Sequence, residues 1–372
     1  MRLSNFEQSY YGSILCGLAY VLYIYRQTIQ ASSHDLTIIF IAAMFLTIAI
    51  AINLNYVYIE IVKNWRNIFL CTLSILMSCI LFHDLSASLV IISKCLLLLF
   101  VGLIAIKSNG QTLIVMADFG ALFLIAMGVF ILSGSIEASL INNEVWVKNN
   151  FGFKNPNIGP YFALSSLFIY FITGKRGRFA SLVVLICLAY IFFSVYSRTY
   201  YIGILLLAIY MLIDFNKINL RKFIWTIILC IFSIVSMYLL LSLLIVTELI
   251  VIQGWISYLD HILSARLTKI YEIKFFISEV GSIVKINPVD NIFYELIFIF
   301  GPYITYIWFK NFRNILPFNN LSNKDIVFYY GFLVFLLIGM FEGLFVKFSP
   351  MIVALVVLIF IKNNQNKTKI FS

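Results

Sequence analysis

Arg198 stands in Tyr196-Ser197-Arg198-Thr199-Tyr200, a short polar turn between two long apolar runs. An arginine kept in such a place offers a planar guanidinium fork, the side chain best shaped to hold a phosphate or carboxylate. Three acids accompany it: Asp290 and Glu295 where one apolar run opens, and Glu342 near the end of another. Ionisable groups at such depths are costly unless they face a wet cavity or a partner. Arginine and acids together describe a polar pocket for an anion, provided the apolar runs bring these positions to one level.

The runs themselves are transmembrane in character. Of the 372 residues, 62% are hydrophobic and only 11% charged, with a mean hydropathy of +1.01. A water-soluble domain of this length does not bury so much apolar surface. Stretches able to cross a hydrocarbon core of roughly 30 Å recur along the chain, without the alternation of a β-barrel. The pattern predicts an all-α polytopic membrane protein of about twelve transmembrane helices. They are expected near 8–25, 36–54, 67–82, 86–106, 112–132, 157–173, 179–195, 200–213, 223–247, 291–309, 326–343 and 349–362. The first run lacks a basic leader beyond Arg2 and a small-residue cleavage site, so it reads as a retained span rather than a signal peptide.

With an even number of spans, both termini share one side, and 16 of the 26 basic residues fall there. Basic loops are retained in the cytoplasm, which makes that side cytoplasmic, anchored most firmly by Gly174-Lys175-Arg176-Gly177-Arg178. Arg198, Asp290, Glu295 and Glu342 then share the outer level of the membrane. The net charge of +10 is accounted for by topology and gives no reason to expect nucleic acid.

Cys16, Cys71, Cys79, Cys95, Cys187 and Cys230 all fall within predicted spans, as small core residues rather than a disulfide framework. His34, His83 and His261 lack ligand spacing, so no metal centre is expected. Lys94 and Asp118, on consecutive antiparallel spans, are expected to form a buried structural ion pair.

Two outer loops, 133–156 and 248–290, are too long to be simple turns. The first ends in Asn149-Asn150-Phe151-Gly152-Phe153-Lys154-Asn155-Pro156-Asn157, where Gly152 allows a tight bend and Pro156 suits a helix start. In the second, residues 256–276 place Leu259, Leu263, Leu267 and Ile270 on one helical stripe, with Asp260, Arg266, Lys269 and Glu272 off it. That is the pattern of a helix lying along the outer surface.

Phe151-Gly-Phe-Lys-Asn-Pro-Asn157 before the sixth span, Ser197-Arg198-Thr199 two spans later, Ser264-Ala265-Arg266 in the large outer loop, and Asp290-Asn291 followed by Tyr294-Glu295 occur in a telling order. In order and placement they resemble the Wzy-type polysaccharide polymerases and the O-antigen ligases that share their fold. Two positions depart from that pattern: Asn155 stands where histidine is common, and Ala265 where glycine is commoner.

The resemblance implies a GT-C-like membrane glycosyltransferase. It would move a growing glycan from undecaprenyl diphosphate onto the next lipid-linked repeat unit at the outer leaflet, without cofactor or metal, alongside a partner that controls chain length. Arg198 and Arg266 would hold the diphosphate, and Asp290, His261 and Glu342 are the candidates for the base that takes the acceptor proton. Gly152, Asn155, Asn157, Ser197, Thr199, Asn291 and Glu295 would line the substrate. An O-antigen ligase is the nearest alternative. A transporter or lipid-linked oligosaccharide flippase also suits twelve spans, but no internal repeat or pair of broken helices supports it.

Overall fold

The computed structural model describes residues 4–82, 85–136, 140–143, 146–149, 152–154, 158–173, 198–212, 220–246, 253–254, 256–258, 301, 303–307, 310 and 323–341. Nearly all of them are helical. The chain divides into two compact units, one of residues 1–63, 97–213 and 349–372, the other of 64–96 and 214–348.

In the first unit, α1 (Asn5–Arg26) starts at a capping box: Ser4 accepts from the Glu7 amide and the Glu7 carboxylate accepts from the Ser4 amide. Arg26 closes its last turn, where a cation offsets the negative end of the helix dipole. A 3-10 turn at Gln30–His34 leads into α2 (Asp35–Ile52), which opens on an acid for the converse reason. α5 (Leu85–Lys107) reaches this unit with its last turns. Asn109 and Gly110, both left-handed, turn the chain into α6 (Gln111–Leu132). α7 (Ile158–Thr173) and α8 (Arg198–Leu212) complete the described helices of the unit.

Contacts along α1 give the helix directions. Ser13 meets Thr112 at 2.8 Å, and Tyr25 meets the Phe123 ring at 6.3 Å, so α1 and α6 run parallel. Between these pairs, Phe119 lies where Gly17 would carry a Cβ, and the Tyr20 ring lies over Gly120 in the same way. Each helix lacks a side chain where the other presents an aromatic, and the backbones approach closely. Ser166 also lies against Gly120, while Tyr170 reaches Asp118, so α7 runs antiparallel to α6. At the start of α1, the Gln8 side chain receives Lys107 and its carbonyl receives Asn53, so α2 and α5 also oppose α1. Polar ties gather at the level of Gln8 and again at that of Arg26, about 27 Å apart at 1.5 Å per residue, close to the thickness of a hydrocarbon core.

Among the described residues, two helices, α2 and α6, are long and apolar enough to cross a membrane. α2 is not a covered core helix, since Leu36 is 82% and Phe40 73% exposed. An apolar coat of this kind belongs to a helical protein immersed in lipid, and water-soluble chains rarely carry one.

Among the described residues, helix ends match the expected spans closely, with two departures, while the expected spans 179–195 and 349–362 and most of 291–309 lie outside them. Residues 55–66, expected as a cytoplasmic loop, are helical over α3 (Leu54–Lys63), broken from α2 at Asn53. Apolar side chains at Leu54, Val57, Ile61 and Val62 give this segment a helical period that its charges and asparagines obscured. The next helix, α4 (Trp65–Phe82), then begins two residues after α3 ends. Within residues 133–156, expected as an outer loop, the expected all-α architecture gives way to an antiparallel hairpin. Its strands are β1 (Leu140–Asn143) and β2 (Trp146–Asn149), in register Leu140 to Asn149 and Asn143 to Trp146. Asparagines at the turn and branched or aromatic residues along the strands favour that local pairing.

In the second unit, α4 (Trp65–Phe82) carries Ser74 and Ser78 against Gly301, which has a φ of 77°. α9 (Leu220–Val246) packs on α10 (Asn323–Phe341), whose Phe332 and Phe335 rings stack 6.5 Å apart. Described cysteines Cys16, Cys71, Cys79, Cys95 and Cys230 are free thiols.

Candidate functional site

Arg198 is the first residue of α8, and Thr199 the second. The helix starts two residues before the expected span, so the arginine belongs to the helix and not to the turn before it. A helix N-terminus already presents unpaired N–H donors and the positive end of the dipole. α8 has no acid in its first turn to offset them. A cation added there is unfavourable by itself and favourable when an anion is held between cation and donors.

Of the other expected site residues, Gly152 is described in full. It is buried, with a φ of 73° that a side chain would strain. Its carbonyl accepts from the Ile29 amide at 2.8 Å, and the Lys154 amide donates to the Gln27 carbonyl at 2.8 Å. Phe153 bridges Thr28 in antiparallel fashion between these two bonds and is fully buried. The Gly152 bend therefore uses its described backbone groups on the connection between α1 and α2. Asn155, Asn157, Ser197, His261, Arg266, Asp290, Asn291, Glu295 and Glu342 lie outside the described residues. Of the expected surface helix over 256–276, only residues 256–258 are described; they are helical, and Ile256 is buried.

Beside the Gly152 bend lies a cluster that the spacing of the sequence did not disclose. Asp35 Oδ1 forms an ion pair with Arg26 Nε at 3.3 Å and accepts a hydrogen bond from Lys154 Nζ at 3.3 Å. Two cations thus share one carboxylate at the end of the unit where α1 finishes, and Lys154 joins the outer-loop motif to both helices. The signal available in sequence was the charge at each helix end, Arg26 closing α1 and Asp35 opening α2. Lys154 came from more than a hundred residues away.

Deeper in the unit, Tyr170 Oη donates to Asp118 Oδ1 at 2.7 Å. Asp118, which the sequence pairs with Lys94, thus accepts a bond from a neutral donor. Next to this pair, the hydroxyls of Tyr20 and Ser166 are buried and make no hydrogen bond among the described residues.

At the opposite end, Lys107 Nζ donates to Asn53 Oδ1 at 2.9 Å and to Gln8 Oε1 at 3.2 Å, and lies 5.8 Å from the centre of the Tyr56 ring. Burial, with Glu60 second, pushes the Tyr56 phenol above its usual range. Among the described residues no three His, Cys, Asp or Glu side chains converge as metal ligands.

No known protein family, no curated protein and no solved structure matches this chain.

Proposed function

We propose that the chain is a multi-pass protein of the bacterial cytoplasmic membrane, with about twelve spans and both termini in the cytoplasm. On this reading it acts there as a Wzy-type polysaccharide polymerase. Its substrates are undecaprenyl-diphosphate-linked oligosaccharides. An acceptor hydroxyl on one repeat unit attacks the anomeric carbon of the growing glycan. The bond from that carbon to the diphosphate oxygen breaks, and the electron pair leaves with the lipid diphosphate. The hydroxyl proton passes to a base, for which Asp290, His261 and Glu342 are the candidates.

The observation that carries the reading is the position of Arg198 at the first residue of α8. A departing diphosphate gains negative charge as the reaction proceeds. A guanidinium and the N–H donors of a helix start, fixed in advance, stabilise that charge without reorganising. Arg266 is assigned the second contact on the motif order alone.

Removing one such fixed donor typically lowers the rate by about 10²–10³. Cells carrying Arg198→Ala or Arg266→Ala at normal protein levels should therefore display single repeat units and no long chains. Arg198→Lys should restore little, because ammonium keeps the charge and loses the fork. Repeats trapped on the cytoplasmic side would identify a flippase instead. Full-length chains from both alanine variants would remove the polymerase site as drawn.

A further inference from the structure

α3 is ten residues long, about 15 Å, half of what a crossing needs, yet its outward surface is apolar. Leu54, Tyr58 and Val62 are exposed on one stripe at four-residue spacing, with Ile59 beside them. Tyr58 is 65% exposed, a large value for a tyrosine with no role in a core. Asn55 is the one polar residue in that arc. The opposite face is covered: Val57 is buried, and the Glu60 side chain is only 14% exposed. The helix acid therefore sits on the protein side, and Lys63, one turn on, pairs with it at 3.9 Å while leaving its own side chain 69% exposed. What α3 shows to its surroundings is an apolar stripe with a cation at its end and no exposed carboxylate.

The helix is held in this attitude. Asn53, between α2 and α3, is buried. Its amide donates to the Ala49 carbonyl at 2.8 Å and to the Gln8 carbonyl at 3.4 Å, and its oxygen accepts from Lys107. The same ammonium lies over the ring of Tyr56, on the covered side of α3. The bend is thus built from three helix ends, and the exposed stripe follows after a single residue from the exposed apolar face of α2.

We propose that α3 lies in the plane of the bilayer, its Leu54, Tyr58 and Val62 stripe sunk into the boundary between headgroups and acyl chains of the cytoplasmic leaflet, with Lys63 extended to anionic lipid phosphates. An exposed apolar stripe beside water costs free energy. At the boundary the stripe meets hydrocarbon, tyrosine sits at its preferred depth, and lysine snorkels to the headgroups. Anionic lipid on that leaflet adds an attraction of about 1 kcal/mol per basic residue. The inference rests on the membrane reading above, through the topology that puts this end of α2 in the cytoplasm.

The test uses the full chain, cysteine-free and reconstituted in vesicles of phosphatidylglycerol and phosphatidylethanolamine. A nitroxide is placed in turn at Phe40→Cys, Tyr58→Cys and Lys63→Cys. Collision rates with oxygen, which partitions into lipid, and with a neutral nickel chelate, which stays in water, give the depth of each label. The ratio of oxygen to nickel collisions at position 58 should exceed that at position 63 several-fold and fall below that at position 40. A lipid ratio at 40 with a water ratio at 58 would overturn the in-plane helix and leave the membrane reading standing. Water ratios at both would overturn the two together. A label at 58 shielded from both reagents and broadened by a neighbouring label, with broadening lost on dilution by unlabelled protein, would assign the stripe to a second copy of the chain and also overturn the proposal.

Discussion

α2 and α6 are, among the described residues, the two helices long and apolar enough to cross a membrane, and the fold uses them in opposite ways. α6 is packed by α1 on one side and α7 on another, with Ala117, Gly120, Ala121 and Gly128 among its buried residues. α2 touches α1 along one face and buries Ile38 and Ala49. Its specific fastenings lie at its ends: Asp35 with Arg26 and Lys154 at one, Asn53 with Lys107 at the other. Small residues let α6 come close to its neighbours, which in lipid is the main source of helix association. Large apolar residues on α2 have nothing of this kind to meet. A helix of the first sort is held on two sides, and one of the second sort by α1 along a single face and by ties at its two ends.

The sharpest way to break this contrast is to add volume to α6 and remove it from α2. A Cβ on Gly120 would lie 2.9 Å from a Tyr20 ring carbon and 3.2 Å from Ser166 Oγ. Gly120→Leu should therefore destabilise the protein by about 3 kcal/mol, the upper range for overpacking. Phe40→Ala should change stability by no more than about 0.5 kcal/mol. Reversible unfolding in mixed micelles measures both. Similar costs for the two would mean that α2 has partners along its outer face.

The end fastenings should differ from each other. Lys107→Met removes a charged donor shared by Asn53 and Gln8 and leaves the buried Asn53 oxygen without it, a loss of about 2 kcal/mol. Asp35→Asn disturbs a half-exposed carboxylate between two cations and should cost under about 1 kcal/mol. The same unfolding measurement ranks them, and a larger cost at Asp35 would make the Gly152 end the firmer hold on α2.

The smallest effect is at the start of α1, whose far end leads to α2. The Ser4 amide, and then its hydroxyl, hold the exposed Glu7 carboxyl below its ordinary value of 4.5. Because the folded value lies below the unfolded one, the contribution of the cap is present above pH 4.5 and is lost as pH falls through the folded value. Amide exchange over the first turn of α1 should accelerate as the pH is lowered through that range, relative to intrinsic rates, and Glu7→Gln should abolish the pH dependence.

Where helices begin and end was determined by the sequence through local chemistry. The Ser4 to Glu7 box starts α1, Gly110 turns α5 into α6, and Gly134, with a φ of 73°, stops α6. Each signal acts within a few residues and needs no partner from elsewhere. α3 escaped because Asn53, Asn55, Glu60 and Lys63 read as a polar loop, and the stripe becomes visible only once a helix is drawn through them. Of the candidate site, the sequence marked Arg198 and Gly152. Only the fold showed that the first opens a helix and that the second is tied to Ile29.

Tertiary structure alone decided which apolar helix is covered and which is bare. α2 and α6 are apolar all round, so neither carries the one-sided contrast from which burial is inferred. The same limit applies to charges. Asp118 found Tyr170, 52 positions away, and Asp35 found Lys154, 119 positions away. Both pairings depend on how helices lie side by side, which in lipid follows from close packing of small residues against large ones and not from the hydropathy of any single helix.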